Sequence, residues 1–438
     1  MRVFKLGFVT LFFALTVPNV VAQFPIVRSI SPTQVQSGAT ALPITVSGSN
    51  FAKNAKVQIN GTNLDIIQIS WNKLRATVPA NLVANPGVLQ VQVFNRNRVS
   101  DAINLTVSNS PAGNYDWTAL NQKLQSFVPG TVAGLTFMIS RHGKVIYSQA
   151  FGNQTVNTIL PIASSTKMPS MLAILTLVDD GLLNLDASIS NYLAGHVNVP
   201  QDKANITMRM LMNHTSGLSG TDDAPCLNNR NTTLQQCAQE ILNLPLAYQP
   251  GTRFDYGGNG MQLAGYVAEV ISGQSWNLFF SQKVGTPLGL TRYTYTNTQN
   301  PRIAGGAFSD VGDYTKFLQS YLAGSVFANT RILSNQTYWE MQTDQKGSLI
   351  TLNNPGGNRL TGYSYGWWHS ATSYLQSQPQ PQTDGPELSD QGAFGCTPWI
   401  DFQYDYTAIL LVNSNTATAT VMWNEIRPLI VEQMRQNN

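Results

Sequence analysis

Between residues 25 and 107 the sequence is a series of short β-branched runs separated by Gly, Asn, Ser and Pro, with no helical period. The runs are Leu42 to Val46, Lys56 to Ile59, Leu64 to Ile69, Val88 to Phe94 and Ile103 to Val107. Strand-length segments at this spacing hide their apolar sides only against one another, so the pattern predicts a small all-β sandwich. Residues 108–114, Ser-Asn-Ser-Pro-Ala-Gly-Asn, break the pattern and read as a linker. From residue 115 to 438 the texture is different. Gly134 to Ser140 and Lys144 to Phe151 flank Arg141-His142-Gly143 as a hairpin signal, and another strand is expected from Thr407 to Val412. Helices are expected over Met168 to Leu182, Leu234 to Leu242, Gln262 to Ile271 and Val311 to Leu322. Trp423, Ile426, Ile430 and Met434 recur at helical spacing and predict a closing helix, with Pro428 as a kink.

Composition narrows the classes. With 42% hydrophobic and 11% charged residues the 438-residue chain can bury one large core or two, which excludes disorder as its main state. A net charge of +3 from 26 basic and 23 acidic residues leaves no basic face for phosphate binding, so no nucleic-acid partner is expected. Residues 1–22 carry Arg2 and Lys5, an apolar run from Leu6 to Val17 and a small-residue end at Val20-Val21-Ala22. They predict a cleaved signal peptide, because the run is shorter than the ~20 residues a spanning helix needs. No later segment is apolar enough to span, so a secreted or extracytoplasmic protein with no membrane span is expected.

In such a compartment Cys226 and Cys237 can form a disulfide, worth roughly 3 kcal/mol by loop entropy, with two free thiols as the alternative. Cys396 is left over. Asn-x-Ser/Thr acceptors stand at Asn60, Asn104, Asn153, Asn205, Asn213, Asn231 and Asn335.

The chemistry concentrates around Ser164-Ser165-Thr166-Lys167, at the start of an apolar helix. Residues three apart share a helix face, which brings the Ser164 hydroxyl to the Lys167 amine. A serine becomes nucleophilic when a neighbouring base takes its proton, and a lysine does this when burial disfavours its charge. The helix start adds backbone N–H groups, including that of Ser164, for a developing oxyanion. Roughly one Ser-x-x-Lys is expected by chance in this length, and Ser70-Trp71-Asn72-Lys73 is such a copy. On a strand its two residues would face opposite ways and stay inert. The alternative for Ser164 and Lys167 is a helix cap and a solvated lysine. Tyr256, on the Gly-rich loop Phe254-Asp255-Tyr256-Gly257-Gly258-Asn259-Gly260, can approach Lys167 and relay a proton, or simply pack in the core.

Two resemblances follow. Ile30-Ser31-Pro32-Thr33, Ile44 to Phe51, Val57-Gln58-Ile59-Asn60-Gly61 and Ala76-Thr77-Val78-Pro79 resemble the IPT/TIG group of immunoglobulin-like domains. That resemblance implies a spacer by default, with glycan or cell-surface contact as a further use. Ser164-x-x-Lys167, Tyr256 and Gly392-Ala393-Phe394-Gly395-Cys396-Thr397-Pro398-Trp399 occur in the order of the beta-lactamase-related serine hydrolases, the class C and penicillin-binding-protein-like group. Asn213 to Leu218, Ala304 to Ser309 and Tyr363 to Trp368 support the likeness. It implies an α+β domain over 115–438, an antiparallel sheet flanked by helices. It also implies Ser164 as acylated nucleophile, Lys167 and Tyr256 as shared base, and the backbone N–H groups of Ser164 and Cys396 as oxyanion hole. No cofactor or metal is implied, and His142, His196, His214 and His369 show no zinc spacing.

Departures from the family pattern bear on the substrate. Where the family reads Tyr-x-Asn, Gly258 stands two residues after Tyr256, with Asn259 one place on. The Lys-Thr-Gly motif aligns with Ala393-Phe394-Gly395, so the cation that would hold an anionic acyl donor is missing. Asn259, Ala393, Phe394, Gly395 and Trp399 are the expected substrate contacts, with Trp367 and Trp368 as further wall candidates. Asp222, Asp223, Asp310 and Asp313 read as solvated turn and helix residues. The expectation is an esterase or an amidase of neutral small-molecule or peptide substrates. A D-Ala-D-Ala peptidase or beta-lactamase, and an inactive binding protein that kept the fold, remain the alternatives.

Overall fold

The computed structural model describes residues 24–109, 113–353, 355, 360–370 and 387–437. The expected signal peptide lies outside the described residues, as do residues 110–112 of the expected linker.

The N-terminal module is the sandwich its strand pattern predicts. One sheet orders the strands Ile26–Ser31, Leu42–Ser49, Lys73–Val78 and Asp65–Ile69. The other orders Gln34–Gln36, Ile103–Ser108, Gly87–Asn95, Lys56–Ile59 and Thr62–Asn63. Ile44, Val46, Val57, Ile59, Leu74, Val91, Val93 and Leu105 meet between them. Ser70 to Lys73 is a turn rather than a strand. The Ser70 hydroxyl accepts the Lys73 N–H at 3.0 Å and donates to the Lys73 carbonyl at 3.1 Å. The copy is thus locked in local hydrogen bonds, for a different reason from the one its expected strand geometry offered.

The second module holds a seven-stranded antiparallel sheet. Its order is Lys144–Gly152, Gly134–Arg141, Tyr406–Val412, Thr397–Asp401, Glu387–Ser389, Trp368–Ser370 and Leu360–Tyr363. The hairpin forms where expected, and His142 (φ 48°) with Gly143 (φ 73°) supplies the two left-handed residues a two-residue turn demands. Both sheet faces are covered. Phe137, Ile139, Trp399, Leu410 and Val412 face the helices Thr118–Ser126 and Thr416–Gln436. Met138, Ile400, Ile409 and Leu411 face the larger helical part. The closing helix runs through Pro428, with Trp423, Ile426, Ile430 and Met434 buried as their spacing requires.

Several helices start at side-chain caps. Thr233 and Gln236 form a capping box, and Asp310 accepts the Asp313 N–H. Asp310 and Asp313 are therefore buried structural acids, not solvated ones: Asp313 Oδ2 gathers the N–H groups of Thr291, Arg292 and Tyr293 at 2.6–3.0 Å. The Cys226–Cys237 disulfide ties the turn Pro225–Asn228 to the helix Leu234–Asn243. Among the described residues no helix is long and apolar enough to cross a membrane.

The sandwich packs directly against the second module. Ile67 enters the larger core, and Thr77 Oγ1 donates to the Ala323 carbonyl at 2.7 Å. Arg75 pairs with Asp405, both side chains no more than a tenth exposed, and the guanidinium lies 5.7 Å from the Phe402 ring centroid. Removing one partner of a buried pair strands the other charge. Arg75→Met is expected to lower unfolding stability by about 3–5 kcal/mol, and adding Asp405→Asn to recover most of it, both read from urea denaturation midpoints.

Candidate active site

Ser164 lies in a 3₁₀ turn, Ala163–Thr166, that leads straight into the helix Lys167–Asp179. In a 3₁₀ turn residues i and i+3 eclipse, which aligns Ser164 with Lys167 more closely than an α-turn would. Lys167 Nζ stands 3.0 Å from Ser164 Oγ and donates to the Ala304 carbonyl at 2.9 Å. Ala163 holds φ 45°, a left-handed conformation that a non-glycine residue adopts only under constraint. Lys167 is 3% exposed, which excludes the solvated-lysine alternative. Burial pulls its amine down to about 8, aided by the Arg302 charge and opposed by Asp390 and Asp222.

Tyr256 reaches the same point from the Gly-rich loop. Lys167 Nζ is 4.4 Å from its ring centroid, and Tyr256 and Ser164 line the same cleft. Gly257 is required there because an added Cβ would stand 2.6 Å from the Gly220 Cα. Asp222 and Asp223 anchor this loop; Asp223 is solvent-exposed as expected, whereas Asp222 is half-buried and held by Arg302. Asp222 accepts the Gly258 N–H and pairs with Arg302 at 2.6 Å, while Asp223 accepts the Asn259 amide at 2.8 Å. His214 lies behind: its ring centroid is 4.7 Å from that of Tyr256 and its Nε2 is 3.0 Å from the Tyr363 hydroxyl. Burial and the Lys167 charge hold His214 well below the ordinary histidine range.

Asp390, which the sequence reasoning did not single out, completes the group. It is fully buried; its Oδ1 accepts the Tyr256 hydroxyl at 3.2 Å and its carbonyl accepts the Ser165 hydroxyl at 2.5 Å. Burial pushes its carboxyl up to about 8, against the pull of Lys167 and of the Tyr256 hydrogen bond. The only signal in the sequence was an acid two residues before the Gly392-to-Gly395 run.

A cleft of about 100 Å³ opens beside Ser164, lined also by Tyr256, Pro355, Trp368, Gln391, Ala393 and Thr416. A groove of about 980 Å³ lies elsewhere, between Tyr266, Glu269 and Thr298, and contains none of these groups. Of the expected substrate contacts and wall candidates, Ala393 and Trp368 border the small cleft. Asn259 starts the helix Asn259–Ser272 and gives its amide to Asp223 and the Ser219 carbonyl. Phe394 is about half exposed outside the cleft, and Gly395 packs against Val412. Trp399 lies in the core, its ring 4.9 Å from that of Trp423, and Trp367 is likewise buried. Cys396 also misses the cleft. Its carbonyl accepts the Gly392 N–H at 2.8 Å, and burial raises its thiol to about 12. The N–H groups of Ser164, Ala393 and Cys396 all meet no acceptor among the described residues.

Gly392 sets how closely the two walls approach. A Cβ on it would lie 2.1 Å from the Ile162 carbonyl oxygen, just before Ser164. Gly392→Ala should therefore push the Gln391–Ala393 segment off the Ser164 turn and cost about 1–3 kcal/mol of overpacking, measurable by urea unfolding.

The family model described as Beta-lactamase matches residues 120–429, and the IPT/TIG domain model matches 25–110. "Protein flp" of Staphylococcus aureus (strain N315) is 28% identical over 181 residues, which are 39% of this chain and 36% of that protein. A "Putative D-alanyl-D-alanine carboxypeptidase" of Escherichia coli O157:H7 is 25% identical over 228 residues, 46% of this chain and 52% of that one. The chain thus spans about a third to a half of the length of these curated relatives. The solved structure of a putative beta-lactamase from Bacteroides dorei DSM 17855 superposes with a TM-score of 0.64 at 25% identity, over 74% of this chain and all of that one. With its paired Ser164 and Lys167 and with most of its length matched, the chain belongs to the beta-lactamase family, fronted by an immunoglobulin-like IPT/TIG domain.

Proposed function

We propose that the protein is a secreted serine hydrolase that takes an acyl group from a neutral ester or amide onto Ser164 and gives it to water. The observation that carries this reading is the contact of a buried amine, Lys167 Nζ, with Ser164 Oγ at 3.0 Å. Lys167 and Tyr256 relieve Ser164 of its proton as Oγ attacks the carbonyl carbon. The unbonded N–H groups of Ser164 and Ala393 then hold the oxyanion, Ala393 standing in place of the expected Cys396 because it is the one of the two that borders the cleft. The leaving group takes a proton from the same pair, and water repeats the sequence in reverse to free the acid.

The lining favours an uncharged acyl donor. Among the described residues that line the cleft there is no Lys, Arg or His, and the Asp390 carboxyl is buried. A carboxylate-bearing peptide or beta-lactam would find no counter-ion among these described residues. The small volume suits short acyl chains.

Intact-mass spectrometry after fluorophosphonate exposure, with p-nitrophenyl butyrate turnover alongside, tests the reading. Native protein and Ser70→Ala should each take one adduct and turn over the ester. Ser164→Ala should take none and lose at least about a thousandfold in rate. Native protein that folds but takes no adduct would instead fit an inactive binding protein, and turnover of D-Ala-D-Ala peptides without ester turnover would fit a peptidase.

A further inference from the structure

Three hydroxyl and carboxyl groups stand in sequence away from the cleft. Ser164 and the Tyr256 phenol line the same cleft, and the phenol donates to Asp390 Oδ1 at 3.2 Å. Lys167 occupies another side of Ser164 Oγ and points its remaining contact at the Ala304 carbonyl. A phenol has one hydrogen. While it serves Asp390, the lone pairs of the phenol oxygen stay available to accept a proton from the cleft side. Asp390 Oδ2 is buried with no hydrogen-bond partner, so nothing else in the described structure fixes this carboxyl as a purely structural acceptor.

We infer that Asp390 is a positioning residue that receives, through Tyr256, the proton that Ser164 gives up. This rests on the acyl-transfer reading above. As Ser164 Oγ bonds the acyl carbon, the Ser164 proton passes to the Tyr256 oxygen while the phenol's own proton passes to Asp390. The carboxylate becomes a carboxyl, and the carbonyl electron pair moves to the oxyanion. When the tetrahedral intermediate collapses, the carboxyl proton returns to Tyr256 and the phenol proton goes to the leaving group as its bond to carbon breaks. Apo hydrogen bonds of this kind are often long and tighten around the substrate, which accommodates 3.2 Å.

The surroundings decide which pH range matters. Lys167 faces Asp390 from the helix Lys167–Asp179, Tyr256 from its loop, Tyr363 from the strand Leu360–Tyr363, Tyr314 from the helix Val311–Leu322, and Cys396 from the same segment as Asp390. Arg302 and Asp222 act on Lys167 from behind, and His214 adjoins Tyr256. Burial lifts the three tyrosines and Cys396 and lowers His214, all away from neutrality. Lys167 and Asp390 remain, each displaced to about 8. An ionised Asp390 is the competent form, so the rate rises as pH climbs through that region.

Steady-state kinetics on p-nitrophenyl butyrate from about pH 6 to about pH 10, for native protein, Asp390→Asn and Asp390→Glu, test the relay. Asp390→Asn keeps an acceptor for the phenol but cannot take its proton. Its plateau kcat is expected to fall at least about 100-fold with KM within about threefold, while Asp390→Glu restores a pH-dependent rate. Plateau kcat preserved within about threefold in Asp390→Asn, with the rising limb merely moved to lower pH, would overturn the inference. That is the outcome expected if the carboxylate did no more than raise Lys167. Should Asp390→Asn fail to fold by circular dichroism, a proton inventory of native kcat in mixed light and heavy water decides: a curved plot supports two protons in flight, and a linear one overturns the relay. Fluorophosphonate separates the levels. Native protein that takes no adduct at Ser164 overturns the acyl-transfer reading and the relay with it, whereas an adduct beside unaltered Asp390→Asn kinetics overturns the relay alone.

Discussion

The Lys167 amine is almost wholly out of water, and much of the second module is arranged around that placement. An unpaired buried cation is costly, so the group is given a carbonyl acceptor from Ala304, an aromatic face from Tyr256 and a nearby acid, Asp390. Each of these comes from a different part of the chain, which obliges the Ser164 turn, the Gly-rich loop, the residue-304 loop and the sheet edge to meet at one point. The left-handed Ala163 and the close approaches at Gly257 and Gly392 are the steric consequences of that convergence.

The acids around the site form a graded set. Asp222 is tied to Arg302 and the Gly258 N–H and acts on the loop, while Asp390 is hydrogen-bonded to Tyr256 and acts on the proton. Both lie close enough to raise Lys167 against the desolvation that lowers it. A serine–lysine pair with no acid nearby would have a more weakly basic lysine. The proposed chemistry therefore depends on residues that never touch Ser164.

Much of this was legible in the sequence where the signal is periodic or local. The alternation of the sandwich strands, the helix Val311–Leu322, the Arg141-His142-Gly143 turn and the Ser164–Lys167 spacing each report on neighbours a few residues away. What failed to show was long-range. Asp390 differs from a surface acid only through the segments that bury it, and Trp399 reads as a cleft wall until the closing helix sets Trp423 against it. Cys396 and Ala393 are three residues apart, and only the bend at Gly392 and Gly395, closed by the Gly392 N–H on the Cys396 carbonyl, sets Cys396 in the core and Ala393 at the cleft. Asp222 looked like a solvated turn acid because its partner, Arg302, lies 80 residues away.

The Arg75–Asp405 pair lies on the turn that joins the strands Thr397–Asp401 and Tyr406–Val412, the first of which follows directly from the Asp390-to-Cys396 segment. The sandwich thus supplies the counter-charge to a turn one strand away from the cleft. The second module, cut free at residue 115, would carry an acid at that turn whose partner had been left behind. In this architecture an N-terminal domain that resembles a spacer has become part of the wall it was attached to.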